Sequence, residues 1–119
     1  MQTAVTALLF RNGDVLAVSR KDNPNDFGLP GGKVDEGETP YDACRREVLE
    51  ETGLALGDIL PVFSRMDGQY SVTTYTGMWS GTIHTTESGV VAWVKPSVIM
   101  EGSFGEYNKN LFKSIKLPW

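Results

Sequence analysis

The sequence predicts a protein of the α/β class, with helices packed on a mixed β-sheet. Two hairpin-type turns, Asn12-Gly13 and Asp67-Gly68, each separate stretches rich in β-branched and apolar residues. Helices are expected between these strands and at residues 107–115, where Leu111 is one of the apolar positions. At 119 residues the chain is long enough for one core, so a single domain over residues 1–119 is expected.

The strands can be assigned in order along the chain. Residues 3–10 and 14–20 should form the first hairpin. Residues 21–28 are polar, contain Pro24 and Gly28, and are expected to form a loop. Residues 29–33 should return briefly to the sheet. Further strands are expected at 59–66 and 69–80, followed by 82–85 and 90–94.

The strongest helix prediction lies between these two groups of strands. Thr39 suits the N-cap, Pro40 suits the first helical position, and Gly53 is placed to end the helix. The apolar stripe of this helix is expected to contain Tyr41, Cys44, Val48 and Thr52, with Leu49 at its edge. Cys44 should therefore be a core residue rather than a nucleophile.

The opposite face of the same helix is unusually acidic. Glu47, Glu50 and Glu51 stand at positions i, i+3 and i+4, so their carboxylates share one face. Like charges at this spacing repel, and Arg46, four residues before Glu50, can balance only part of the charge. Oxygen ligands are what a hard divalent cation binds, so this face is a candidate metal site.

Composition excludes several classes of protein. A net charge of −4 argues against an extended nucleic-acid surface. No apolar run approaches the roughly 20 residues of a membrane helix, and no basic residue precedes Arg11 as in a secretory signal. The single cysteine, Cys44, cannot form an internal disulfide and fits a reducing compartment. We therefore expect a cytoplasmic protein without a membrane partner, as a monomer or a homodimer.

The acidic helix lies within a longer pattern, G-x5-E-x7-R-E-U-x-E-E-x-G-U, where U is aliphatic. Its positions are Gly32, Glu38, Arg46, Glu47, Val48, Glu50, Glu51, Gly53 and Leu54. This stretch, residues 32–54, resembles the Nudix box without a departure. The preceding Leu29-Pro30-Gly31-Gly32-Lys33 resembles the MutT-like members of the Nudix hydrolase family. The resemblance implies a Nudix α/β/α sandwich with a mixed β-sheet, in which the box forms a loop-helix-loop.

The resemblance also implies the chemistry, which is hydrolysis of a pyrophosphate bond in a nucleoside diphosphate derivative. Mg2+ is the expected cofactor, with Mn2+ as the alternative, because a cation must bridge the acidic face and the phosphates. Glu47 and Glu51 are the main implied ligands, with Glu50 and the Gly31 carbonyl contributing. Glu38 is grouped with these metal-site residues. Its expected role, shared with Arg46, is to fix the ligand carboxylates.

A general base and substrate contacts are also needed. The candidates for the base are Glu51 and Glu87, and Glu87 is slightly preferred because it lies six residues before Trp93, a MutT-like spacing. Arg20 and Lys33 are candidate phosphate contacts, with ordinary surface charge as the alternative.

Nucleobase recognition is assigned to three further residues. Phe27, expected in the loop before the box, and Tyr70 could stack on a base, although most aromatic side chains in a small domain are core. Asn108, fifteen residues after Trp93, resembles the asparagine with which MutT-like enzymes read a purine. Its alternative role is a helix cap.

The substrate expected for a minimal domain is a small nucleotide, most simply a nucleoside or deoxynucleoside triphosphate, oxidised or not. Its products would be the monophosphate and pyrophosphate. Tyr70 lies sixteen residues past the box, as in diadenosine polyphosphate hydrolases, which keeps a nucleoside diphosphate-X substrate open. Gln69 stands where ADP-ribose hydrolases tend to have proline. The rival class is an inactive nucleotide- or RNA-binding Nudix module, but such modules usually have broken box positions.

Overall fold

Two four-stranded sheets form the framework of the protein. The computed structural model describes residues 2–84 and 89–115. The first sheet contains β1 (Gln2–Leu8), β5 (Gly31–Lys33), β6 (Ala55–Asp67) and β7 (Tyr70–Ser80). The second contains β2 (Phe10–Arg11), β3 (Asp14–Arg20), β4 (Asn23–Gly28) and β8 (Val91–Val94). The described helices are α1 (Pro40–Thr52), α2 (Pro96–Met100) and α3 (Gly105–Ile115).

The first sheet is mixed, as predicted. Its order is β5-β1-β7-β6, and β1 runs parallel to β7 but antiparallel to β5. The β6–β7 pair is antiparallel, with register shifts near Leu56 and Pro61. The second sheet was not predicted as separate. In it β3 pairs antiparallel with β2, β4 and β8.

Side chains point alternately to opposite faces along the strands, so the core has two layers. Val5 and Ala7 of β1 are fully buried in the cluster that contains Cys44 and Val48 of α1. Leu8 belongs to the other cluster, which contains residues of α2 and α3, among them Leu111. The strands therefore lie between α1 on one side and α2 and α3 on the other. This arrangement confirms the predicted α/β/α sandwich.

Helix α1 begins and ends where the sequence predicts. The Thr39 hydroxyl accepts a hydrogen bond from the Asp42 amide at 3.1 Å, and Pro40 is the first helical residue. Gly53 ends the helix with φ +84°, a conformation that glycine adopts without a steric penalty. The buried stripe is narrower than predicted, because it contains Ala43 but neither Tyr41 nor Leu49, which are 37% and 54% exposed.

The second predicted hairpin is present, but the first is present only in part. Residues 10–11 (β2) pair with β3 across the turn, whereas residues 2–8 (β1) belong to the first sheet, so the single strand predicted at 3–10 is divided between the two sheets. Asn12 and Gly13 have φ of 51° and 84°, as the first turn requires. The second turn lies one residue later than predicted, because Asp67 is still the last residue of β6 and Gly68 takes the positive φ of 62°.

Two further predictions of secondary structure were wrong, and one short helix was not predicted. Residues 21–28 are not a loop, because 23–28 form β4, and the polar side chains that suggested a loop are exposed along it. Residues 82–84 form no strand, and Thr85 lies outside the described residues. The short helix α2 was not predicted, although Pro96 occupies its first position. No described helix is long and apolar enough to cross a membrane.

Candidate active site

Arg46 is the centre of the acidic face of α1. Its guanidinium contacts the carboxylates of Glu38 at 2.7 Å, Glu50 at 2.8 Å and Glu47 at 2.9 Å. A fourth carboxylate, that of Asp35, lies 3.3 Å away. The predicted contact between Arg46 and Glu50 is thus one part of a larger network that joins the loop before α1 to two turns of the helix.

Glu38 is a structural partner of Arg46. Its Oε2 accepts from Arg46 Nε, and its Oε1 accepts both from Arg46 Nη2 at 2.9 Å and from the Asp35 amide at 3.0 Å. These hydrogen bonds, first of all those from Arg46, lower the pKa of Glu38 to about 2. Both oxygens are therefore engaged by the protein, which favours the expected fixing role over metal ligation.

Glu47 occupies a space that only glycine leaves open. A Cβ built on Gly32 would lie 2.5 to 2.7 Å from the carboxyl carbon and oxygens of Glu47. Burial raises the pKa of the Glu47 carboxyl, although the hydrogen bond and charge of Arg46 oppose this effect. Any larger residue at position 32 would displace this carboxylate.

Glu51 lies beside the preceding glycine, Gly31. Its Oε1 accepts a hydrogen bond from the Gly31 amide at 2.8 Å. Burial raises the pKa of Glu51 to about 7; the Gly31 hydrogen bond opposes this, and the charges of Glu47 and Glu50 add to it. Gly31 also has a packing role, since its Cβ would lie 2.0 Å from the Val5 carbonyl oxygen.

The donor set is chemically suited to a hard divalent cation. Two carboxylates, Glu47 and Glu51, lie against the glycine pair Gly31-Gly32, and burial disfavours their negative charge. No three or more acidic, histidine or cysteine side chains are already gathered as a metal site within residues 2–84 and 89–115. Glu50, the third predicted carboxylate ligand, contacts Arg46 as Glu47 does, but its side chain is 57% exposed against 20% for Glu47.

A cleft of about 600 Å³ adjoins this acidic site. It is lined by strands of both sheets and by the start of α3, and Gly31 and Glu51 lie on its wall. The volume falls within the range of pockets that bind small molecules and cofactors. The box carboxylate Glu51 and a ligand-sized space are therefore adjacent.

Four predicted substrate-binding residues line the same cleft: Arg20, Lys33, Tyr70 and Asn108. Arg20 is held by Asp22 at 3.1 Å. The Lys33 ammonium lies 5.7 Å from the centre of the Tyr70 ring. Asn108 is 2% exposed and donates through Nδ2 to the Ile99 carbonyl at 3.0 Å.

Phe27 is not among the cleft residues. The expected loop position is wrong, because Phe27 lies in β4 next to Gly28, which does line the cleft. Successive strand residues face opposite ways, so the Phe27 ring packs against the cluster that contains Leu8 and Leu111. Glu87, the preferred general base, lies outside the described residues.

Residues that were not predicted also line the cleft. Thr6 Oγ1 lies 2.7 Å from Thr74 Oγ1, which lies 2.8 Å from the Tyr107 hydroxyl, so three hydroxyl groups form a chain at the cleft. Phe104, in the loop before α3, is 48% exposed. Its only sequence signal was a position one helical turn before Asn108.

Comparisons with known proteins identify the family of the chain. The NUDIX domain family matches residues 1–115 of the chain. A Bacillus subtilis protein, named as a candidate 8-oxo-dGTP diphosphatase, is 37% identical over 80% of this chain and 66% of its own length. An ADP-ribose pyrophosphatase of Methanocaldococcus jannaschii is 41% identical over 54% of this chain and 40% of its own length. The chain thus spans less than two thirds of either relative.

The fold is also found among solved structures. A MutT NUDIX hydrolase from Burkholderia pseudomallei superposes with a TM-score of 0.78 over 96% of this chain and 97% of that one, at 24% identity. This likeness supports the α/β/α architecture. The family match over residues 1–115, with every position of the box in place, shows that the chain belongs to the NUDIX domain family of Nudix hydrolases.

Proposed function

We propose that this protein hydrolyses a pyrophosphate bond of a nucleoside polyphosphate with the help of Mg2+. The simplest substrate is a nucleoside or deoxynucleoside triphosphate, including one with an oxidised base, and the products are the monophosphate and pyrophosphate. The observation that carries the proposal is the meeting of Glu51 with Arg20, Lys33 and Asn108 in one cleft of about 600 Å³. The name of the Bacillus relative is consistent with such a substrate.

The acidic end of the cleft is the place for the cation. Glu47, Glu51 and the Gly31 carbonyl would hold Mg2+, or alternatively Mn2+, and Glu50 would contribute on release from Arg46. When bound, the cation would neutralise phosphoryl charge and promote attack by water. Arg46 then serves as a positioning residue, because it holds the glutamates of two successive helical turns in place.

The protein's own groups divide the remaining tasks. Arg20 and Lys33 supply positive charge at the cleft for the phosphates, which reduces the repulsion from the acidic face. Asn108 presents an amide that can donate and accept at a base edge. The general base is assigned to Glu87 or Glu51, each of which offers a carboxylate that can accept a proton.

A nucleotide panel with a matched set of variants tests the proposal. The panel contains nucleoside triphosphates, 8-oxo-dGTP, diadenosine polyphosphates, ADP-ribose and capped RNA, each with MgCl2. Glu47→Gln and Glu51→Gln should lower kcat by about 10² or more, whereas Glu36→Gln, an exposed residue of the same box, should not. Wild-type turnover in either of the first two variants would show that the site is wrongly assigned.

The same panel separates the alternatives. Tyr70 lines the cleft beside Lys33, which favours a diadenosine polyphosphate as the second candidate substrate, since a second adenine could stack there. Faster turnover of diadenosine polyphosphates than of triphosphates would establish that reading. Binding of a nucleotide without release of any product would instead favour an inactive Nudix module.

A further inference from the structure

The loop between α2 and α3 is fastened to strand β4. Asp26 Oδ1 accepts from the Ser103 amide at 2.9 Å, and Asp26 Oδ2 accepts from the Ser103 hydroxyl. Gly102 lies so close to β4 that a Cβ would be 2.5 Å from Asp26 Oδ1 and 2.7 Å from the Phe27 carbonyl oxygen. The loop position is therefore set by one carboxylate and one close backbone approach.

This attachment places Phe104 at the cleft. Its ring lies over Gly28, where a Cβ would be 3.2 Å from Phe104 Cδ2. The absence of a side chain at Gly28 therefore leaves room for the ring. The side chain nevertheless stays 48% exposed. A fixed, half-exposed aromatic ring in a cleft offers apolar surface that a bound ligand can cover.

Phe104 is the most open of the aromatic residues that line the described part of the cleft. Tyr107 is only 6% exposed, and its hydroxyl is bonded to Thr74. The Tyr70 ring already has the Lys33 ammonium 5.7 Å from its centre. Phe104 is thus better placed than the other two to offer a free ring face.

Phe104 and Asn108 are also paired by the helix. The backbone N–H of Asn108 donates to the Phe104 carbonyl at 3.0 Å, so the two residues lie one helical turn apart. Both residues line the cleft. A nucleobase has a π-face that stacks on aromatic rings and a polar edge that an amide can read. One face-binding group and one edge-binding group are therefore adjacent at the start of α3.

We propose that Phe104, held at the cleft by the Asp26–Ser103 contact, is the aromatic wall on which the base of the substrate stacks, and that Asp26 is its positioning residue. This inference rests on the proposed nucleotide substrate. Asp26 also lies 3.9 Å from Arg20, so one carboxylate touches both a cleft cation and the loop that carries Phe104.

Kinetics of Phe104 variants test the stacking. Phe104→Ala should raise KM for purine triphosphates about tenfold with kcat within about twofold, and Phe104→Trp should restore KM. Hydrolysis or inhibition constants for inorganic tripolyphosphate, which has no base, should not change. Tyr41→Ala is the matched control, because Tyr41 is 37% exposed but is not a cleft residue. An unchanged KM in a folded Phe104→Ala protein overturns the inference.

Two aspartate variants test the positioning role. Asp26→Asn removes an acceptor from the Ser103 contact and should raise KM several-fold, whereas Asp22→Asn disturbs only the ion pair with Arg20. Equal effects of the two variants on KM would show that Asp26 acts through Arg20, and the positioning part would be wrong.

A binding measurement separates this inference from the proposed function. Saturation-transfer NMR with guanosine and adenosine requires neither phosphate nor metal. Wild type should give a signal that Phe104→Ala loses and Tyr41→Ala keeps. If the wild type hydrolyses no nucleotide but shows this pattern, the proposed function fails and the stacking wall stands. If hydrolysis is intact but both variants bind nucleosides equally, the stacking wall is overturned and the function stands.

Discussion

Glu51→Gln should stabilise the metal-free protein at neutral and alkaline pH. The Glu51 carboxyl is largely buried, and its pKa rises from an ordinary 4.5 to about 7. As the pH rises from 4.5 to 7, the unfolded chain therefore loses this proton while the native protein keeps it, and native stability falls. Above pH 7 the loss is complete. Glutamine carries no charge, and its carbonyl oxygen can still accept from the Gly31 amide.

The size of the effect follows from the same pKa values. A rise from 4.5 to about 7 corresponds to a loss on the order of 3 kcal/mol at pH 8, because each pKa unit is about 1.4 kcal/mol. For a chain of this length, 1 kcal/mol shifts the melting temperature by about 4 °C. Glu51→Gln should thus melt about 10 °C above wild type at pH 8 and at nearly the same temperature at pH 4.

Thermal unfolding in EDTA between pH 4 and pH 8 is the assay. Glu36→Gln serves as the control, because Glu36 is exposed and should give no pH-dependent difference. Added MgCl2 should raise the melting temperature of the wild type but not of Glu51→Gln. Parallel curves for wild type and Glu51→Gln across the whole pH range would refute the reasoning, since burial of the charge would then have no energetic consequence.

Three further variants or reagents test other parts of the site. Arg46→Lys should lower both kcat and the melting temperature, because a lysine ammonium cannot make the several directed hydrogen bonds of the planar guanidinium. Both quantities should fall further than they do in Glu38→Gln. Gly32→Ala should weaken Mg2+ binding in calorimetry, because its Cβ would displace the Glu47 carboxylate; unchanged affinity would contradict the placement of Glu47. Cys44 should resist a thiol-reactive dye in the native protein and react fully in urea, because burial leaves it 0% exposed and raises its pKa to about 12; a fast native reaction would contradict its core position.

Local signals in the sequence were sufficient for the box helix. Thr39, Pro40 and Gly53 act within one turn of the helix ends, so their effect does not depend on the rest of the fold. The strand at 23–28 was missed for the opposite reason. Its polar residues are compatible with a strand because they are exposed along it. The strand is stabilised by pairing with β3, a tertiary contact that the local sequence does not reveal.

The cleft was less predictable than the acidic face. Spacing on one helix placed Glu47, Glu50 and Arg46 correctly as neighbours. In contrast, Asp26 and Ser103 are 77 positions apart, and neither segment of the sequence predicts a contact with the other. Phe27 was predicted to stack on a base because a loop was expected at 21–28, and Phe104 was not predicted. The structure places Phe27 in β4 against the core and Phe104 at the cleft.

The network around Arg46 has an unequal tolerance to mutation. Four acidic residues depend on one guanidinium, and each acid can be lost while the other three keep their partner. Loss of the guanidinium would remove this partner from all four carboxylates at once. Substitutions of the four acidic residues should therefore be tolerated one at a time. A substitution of Arg46 should be tolerated only together with substitutions of several of its acidic partners. Tolerance to substitution should thus be higher at each acidic position than at Arg46, which is the shared partner of the network.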